Sequence, residues 1–147
     1  MRHAKCPVLT VKSKIDIANI KNIVFATNFK EEDSHVADEL KKLQEVFRAK
    51  LHLVCVNTPT NFETNRKIMA NAEKFVKENE ITDYTLNIYC DKVEEDGIIF
   101  FAQDTKADLI ALATHGRSGL LHLLSGSIAE DVVNHAKRPV WTFRLKH

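Results

Sequence analysis

Short apolar runs alternate along the chain with longer segments whose apolar positions recur every three or four residues. Ile23-Val24-Phe25-Ala26, Leu51 to Val56, Leu109 to Ala113 and Val140 to Phe143 are brief and apolar on both faces, as buried parallel strands are. Tyr84 to Tyr89 alternates instead, with Leu86 and Ile88 on one face, which predicts a half-exposed edge strand. Val36, Leu40, Leu43 and Phe47 predict a helix over about 33–49, with Asp33 and Ser34 as candidate N-caps. Ile68, Ala72, Phe75 and Val76 mark a second helix ending near Asn79, with Met69 at the edge of the core. Val93 to Thr105 makes a third, weakened by Gly97 in its interior. Ile128, Ala129, Val132, Val133 and Ala136 mark the fourth, which opens on the capping-box spacing of Ser127 and Glu130 and stops at Lys137-Arg138-Pro139.

This order of strand and helix predicts an α/β fold: an open three-layer sandwich, a five-stranded parallel sheet with about four helices on its two faces. Ligands of such sheets sit beyond the carboxyl ends of the strands, where the direction of winding reverses. The segments to read for chemistry are therefore Thr27 to Lys30 and Thr114 to Gly126, the latter holding Gly116, Gly119 and Gly126 of only 4 glycines.

Composition narrows the partners. The 147 residues suit one domain, and a formal net charge of +1 excludes the broad positive field of a non-specific nucleic-acid or membrane-surface binder. No apolar run approaches the roughly 20 residues of a membrane helix. Cys6, Cys55 and Cys90 form no C-x-x-C, and His52 and His122 have no ligand partner at helical spacing, so neither a disulfide framework nor a metal centre is expected. Free thiols suit a reducing cytoplasm. Glu31-Glu32-Asp33 and Glu94-Glu95-Asp96 read as solvated helix starts, not catalytic carboxylate pairs, and no catalytic residue is expected.

One repeat stands out. His3 to Lys12 (HAKCPVLTVK) and His135 to Arg144 (HAKRPVWTFR) share His, Ala, Lys, Pro, Val and Thr at matching positions, 132 residues apart. That offset approximates a whole small domain. Residues 1–19 are accordingly expected to be the last strand of a preceding, related repeat plus a linker, Lys14 to Ile20, and residues 20–147 the domain itself. Cys6, Pro7, Val8, Leu9, Thr10 and Val11 are expected to run antiparallel to Val140, Trp141, Thr142 and Phe143, within the chain or across a homodimer or tandem pair.

The glycine segment reads ATHGRSG, six further residues, then Gly126-Ser127 at the head of the fourth helix. Glycines let backbone N–H groups approach an anion, and a helix N-terminus adds unpaired donors. The spacing matches neither a Walker A loop nor G-x-G-x-x-G, and Ser118 is not in a G-x-S-x-G elbow. Read bare, Ser127 caps a helix, His115 bonds nearby backbone and Arg117 is a solvated charge.

The stretch ATHGRSGLLHLLSGSIAEDVV, the HAKRPV that follows, and KNIVFATNFK at Lys21 to Lys30 closely resemble the universal stress protein family, over about 20–144. Nucleotide-binding members carry G-x2-G-x9-G-Ser/Thr; here Gly116, Gly126 and Ser127 fit, and Ala113 replaces the first glycine. The resemblance implies strand order 3-2-1-4-5 and ATP, alone or with Mg2+ or Mn2+, over strands one and four. Ala26, Thr27, Asn28 and Val56 would border the adenine and Leu112 and Ala113 would lie beneath the nucleotide. His115, Gly116, Arg117, Gly126, Ser127 and Ile128 would approach ribose and phosphates. Asn28 stands where the family usually has Asp, and Lys30 where it has Ser. The Ala113 methyl would be strained if its position needs a positive φ. The resemblance implies a stress-response regulatory switch driven by ATP; the alternatives are a dimerisation or scaffold module without ligand, and a slow ATP hydrolase.

Overall fold

The chain is seen in a computed structural model that describes residues 6–29, 34–115 and 126–145. Six strands form one sheet: β1 (Val8–Thr10), β2 (Asn22–Ala26), β3 (Lys50–Asn57), β4 (Tyr84–Cys90), β5 (Leu109–His115) and β6 (Val140–Leu145). Their order is β1-β6-β5-β2-β3-β4. From β2 onward every pairing is parallel, and those five strands take the expected 3-2-1-4-5 order, with the alternating Tyr84–Cys90 strand at the edge. The helices are α1 (Ser34–Phe47), α2 (Asn65–Glu78), α3 (Glu94–Asp104) and α4 (Gly126–His135).

Alternation along the strands divides the core in two. Ile23, Phe25, Leu51, Leu53, Leu109 and Ala111 face the layer of α1 and α2, where Leu40, Leu43, Ile68 and Phe75 close the cluster. Val24, Ala26, Val54, Ile110 and Leu112 face α3 and α4, against Ile98, Phe101, Ala129 and Val132. Both faces being apolar is why these strands read as continuous apolar runs.

Three helices stop in one way, without glycine. Arg48, Glu80 and Lys106 each take a positive φ, of 50°, 52° and 54°, one step past the end of the helix or its C-cap. The next N–H then returns to the carbonyl five residues back: Ala49 to Gln44, Ile81 to Val76 and Ala107 to Ala102. Ala49, Ile81 and Ala107 are buried, giving each cap its apolar contact.

Some expected boundaries move. β1 is antiparallel to β6 within the chain, but it spans three residues, and Cys6, Pro7 and Val11 lie outside it. Pro7 has no N–H to give a ladder, which shortens the strand at one end. The expected linker carries a 3-10 turn at Ile17–Asn19, capped by Asp16, whose Oδ1 accepts from Ala18 N at 3.0 Å. α1 ends at Phe47 and α4 at His135, earlier than the apolar spacing suggested, and α4 begins at Gly126, so Ser127 lies inside the first turn and is not its N-cap.

Candidate functional site

The β2–α1–β3 unit winds toward β4, whereas β5 joins β2 on the other side, so the winding reverses between β2 and β5. At their carboxyl ends the register Phe25↔Ala111 sets Ala26 beside the last residues of β5. Such a switch point leaves a crevice, because the flanking connections depart to opposite faces. Ala26, Thr27 and Asn28 come to it from β2, Val56 from the end of β3, and Leu112, Ala113 and His115 from β5. α4 runs back to the start of β6, which turns the first-turn residues Gly126, Ser127 and Ile128 and their N–H groups toward the same end. Gly116 and Arg117, the remaining expected contacts, lie outside the described residues, as does Lys30.

The turn after β2 is held tightly. Thr27 N–H donates to Val54 O at 2.9 Å, which extends the β2–β3 ladder by one residue. Phe29 N–H donates to Thr27 Oγ1 at 3.2 Å, in a left-handed conformation with φ 58°. The Phe29 ring is buried and meets Phe75 at 6.0 Å. Asn28 is half-buried between these two anchored neighbours.

Ala113 does not carry the strain that its replacement of glycine suggested. It lies within β5, opposite Phe143, and is not among the positive-φ residues. Its methyl packs in the α1–α2 cluster with Phe25 and Phe143, whose rings lie 6.3 Å apart. Leu112, its neighbour, points to the other face. The pair thus forms a floor apolar above and below.

A contact absent from the sequence reading props the far wall. A Cβ built on Gly97 would fall 2.4 Å from Val56 Cγ1 and 3.3 Å from Asp91 Cβ. Glycine therefore lets α3 lie directly on β3 at the residue expected to border the base. Its signal in the sequence is the lone glycine inside a helix.

At the opposite end of the sheet, His52 on β3 bridges Asn22 on β2 and Thr85 on β4, each at 2.9 Å. Asn87 Nδ2 donates to Thr85 Oγ1 at 2.8 Å and to Leu53 O at 3.1 Å. With the imidazole neutral, as its lowered pKa favours, Nε2–H donates to Asn22 Oδ1 and Nδ1 accepts from Thr85 Oγ1. Burial, then Lys50, hold the His52 pKa below its ordinary value, against an opposing pull from Asp83. This row is structural, and among the described residues no group of histidines, cysteines and carboxylates is arranged to hold a metal. No described helix is long and apolar enough to cross a membrane.

The described residues form a doubly wound sheet with its switch point between β2 and β5. The Universal stress protein family model matches residues 19–144, and the chain belongs to that family. Universal stress protein MJ0577 of Methanocaldococcus jannaschii is 26% identical over 122 residues, 77% of this chain and 75% of that one. Universal stress protein MJ0531 of the same organism is 46% identical over 48 residues, a match spanning 33% of this chain but only 28% of MJ0531. Among solved structures, a universal stress protein in complex with cAMP aligns with a TM-score of 0.65 and 20% identity, over 86% of this chain and 98% of the other. A putative universal stress protein from Pseudomonas aeruginosa UCBPP-PA14 aligns with a TM-score of 0.70 and 20% identity, over 97% of this chain and 54% of its own.

Proposed function

We propose that the crevice between β2 and β5 binds an adenine nucleotide, ATP in the first instance, and that the domain acts as a stress-response regulatory module in the cytoplasm. The observation that carries this is the convergence of the Ala26–Asn28 turn, Val56, the β5 end and the α4 first turn at the switch point, in a chain with the Gly116–Gly126–Ser127 spacing. The cAMP complex of a structural neighbour supports an adenine ligand class. The residues fit one: Ala113 leaves no methyl strained over the crevice, and Asn28 both donates and accepts, as a base edge requires. The α4 N-terminus suits phosphate, and Mg2+ or Mn2+ would neutralise the remaining charge. Leu112 and Ala113 exclude water from below.

Thermal shift with ATP and magnesium tests the reading. At one hundred times Kd the native state gains about 2.7 kcal/mol, and Gly126→Asp, which sets a carboxylate among the α4 donors, is expected to abolish that gain. No shift at millimolar ATP would reject the proposal.

Residues 1–19 we read as the closing strand and linker of a preceding related repeat. The support is the repeated HAK-x-PV segment and the Pseudomonas aeruginosa neighbour, which aligns with 97% of this chain but over only 54% of its own length. An upstream coding sequence with a second glycine loop of the same spacing is expected, and its absence would overturn that reading.

A further inference from the structure

The two edges of the sheet are treated differently. On one side β1 lies against β6; on the other, β4 pairs with β3 over all 7 of its residues and, among the described residues, with no further strand. Leu51 N–H donates to Asp83 O at 3.0 Å and Asp91 N–H to Asn57 O at 3.2 Å, so the odd-numbered residues turn their peptide groups toward β3. The direction alternates along a strand, and Tyr84, Leu86, Ile88 and Cys90 therefore turn N–H and C=O outward. Exposed edges are ordinarily blunted by a charge, a proline or a bulge. Tyr84–Cys90 carries no charge and no proline, and its register runs unbroken.

The surroundings of this edge are apolar close in and acidic at its ends. Tyr84, Leu86 and Ile88 pack on the α1–α2 cluster. On the other face Tyr89 OH donates to Asp104 Oδ2 at 2.8 Å, which sets that flank of α3 beside the edge. Val93, Phe100 and Asp104 follow one another at the spacing of a single helix flank, and the first two are 49% and 46% exposed. Asn61 Nδ2 donates to Glu94 Oε1 at 3.5 Å, which brings the loop of Phe62, 70% exposed, to the head of the same helix. Asp83 and Asp91 bracket the strand, and with Asp104 they outweigh the neighbouring Lys92.

We infer that the β4 edge receives an extended segment of a partner protein, added to the sheet as an antiparallel strand with apolar residues at alternate positions and Lys or Arg at both ends. Antiparallel is the sense in which the chain closes its other edge, and one common at the margin of parallel sheets. The outward groups set the register. Each partner residue opposite Tyr84, Leu86, Ile88 or Cys90 exchanges two backbone hydrogen bonds, and its side chain extends the α1–α2 cluster. The residues between them stand on the Val93–Phe100 side. Charge selects the occupant. A second β4 laid antiparallel about Asn87 would put Asp83 opposite Asp91 at both ends, and like charges directly opposite are destabilising. A segment with basic ends meets the same carboxylates favourably. The inference is independent of nucleotide binding.

The test uses the full chain and the peptide KKVTVTVTVKK, whose valines fall opposite the outward residues and whose inner lysines fall opposite Asp83 and Asp91. Amide hydrogen exchange read by NMR is expected to show Tyr84, Leu86, Ile88 and Cys90 exchanging fast in the chain alone and about tenfold slower with saturating peptide, whereas Thr85, Asn87 and Tyr89 are protected in both. The same peptide methylated at its valine nitrogens, or with glutamate for every lysine, is expected to bind about tenfold more weakly. Phe100→Asp, at an exposed position, is expected to weaken binding of the parent peptide while leaving Tm unchanged. No binding at about 1 mM peptide overturns the inference, as does binding that leaves the four outward amides unprotected or that methylation does not weaken. Slow exchange of those amides in the chain alone, together with a dimer in sedimentation equilibrium, would make a second copy the occupant and overturn it as well.

Discussion

Gly97 of α3 and Val56 of β3 touch so closely that a single methyl on the glycine would overlap the valine side chain, 2.4 Å from Cγ1. Gly97→Ala is helped by helix propensity, worth about 0.8–1 kcal/mol, but overpacking costs typically 1–3 kcal/mol, so a net loss of about 1 kcal/mol is expected. In a Val56→Ala background the same change is expected to be neutral or stabilising. A double-mutant cycle by urea denaturation reads the reversal, and additive effects would show that the helix shifts freely.

The left-handed caps at Arg48, Glu80 and Lys106 give an opposite expectation, of stabilisation. A non-glycine residue in that region costs about 1–2 kcal/mol, partly offset because glycine loosens the unfolded chain by about 0.4–1 kcal/mol. Arg48→Gly, Glu80→Gly and Lys106→Gly are each expected to gain about 0.5 kcal/mol. Loss of stability at all three by thermal denaturation would contradict the cap assignment.

Asp108 Oδ2 accepts from both Lys21 N and Asn22 N at 2.9 Å, and so pins the start of β2 to the start of β5. Asp108→Ala leaves two N–H groups without that acceptor, one of them part-buried, and is expected to cost about 1–2 kcal/mol. Asp108→Asn, which keeps one carbonyl oxygen, is expected to cost less. Equal losses in urea unfolding would show that the charge, not the hydrogen bonds, matters.

His52 gives the pH dependence. Its folded-state pKa lies below the ordinary 6.5, so the unfolded chain binds the proton more readily. Its contribution is constant above about pH 6.5 and falls as pH drops below that value. Against His52→Asn, the parent is expected to lose Tm faster between pH 6.5 and 5, and the His52 NMR titration to have its midpoint below 6.5. Parallel Tm curves would dismiss the buried neutral tautomer.

Much of this was legible in the sequence, for reasons specific to each element. Parallel strands covered on both faces must be apolar throughout, so Ile23 to Ala26 and Leu109 to Ala113 announce themselves. The alternation at Tyr84–Cys90 gave the edge, and the repeated segment gave the antiparallel strand beside β6. Helix ends were less legible because Arg48, Glu80 and Lys106 stop helices where sequence rules look for glycine. Ala113 misled in the other direction: its φ is set by a strand that sequence spacing alone does not fix. The hydrogen-bond partners of His52, Asn22 and Thr85, lie on other strands, at separations no local pattern reaches.

The tie between Val8 and Thr142 spans 134 positions, that from Asn22 to Asp108 spans 86, and those from His52 to Asn22 and Thr85 span 30 and 33. Closing a long loop costs more chain entropy than closing a short one, so the β2–β3, β3–β4 and β5–β6 pairings are the cheap closures and β2–β5 and β1–β6 the costly ones. β1 closes the longest loop of all and has nowhere to dock until β6 is laid down. The strand that seals the sheet in the finished molecule is therefore the one whose absence leaves every earlier step intact.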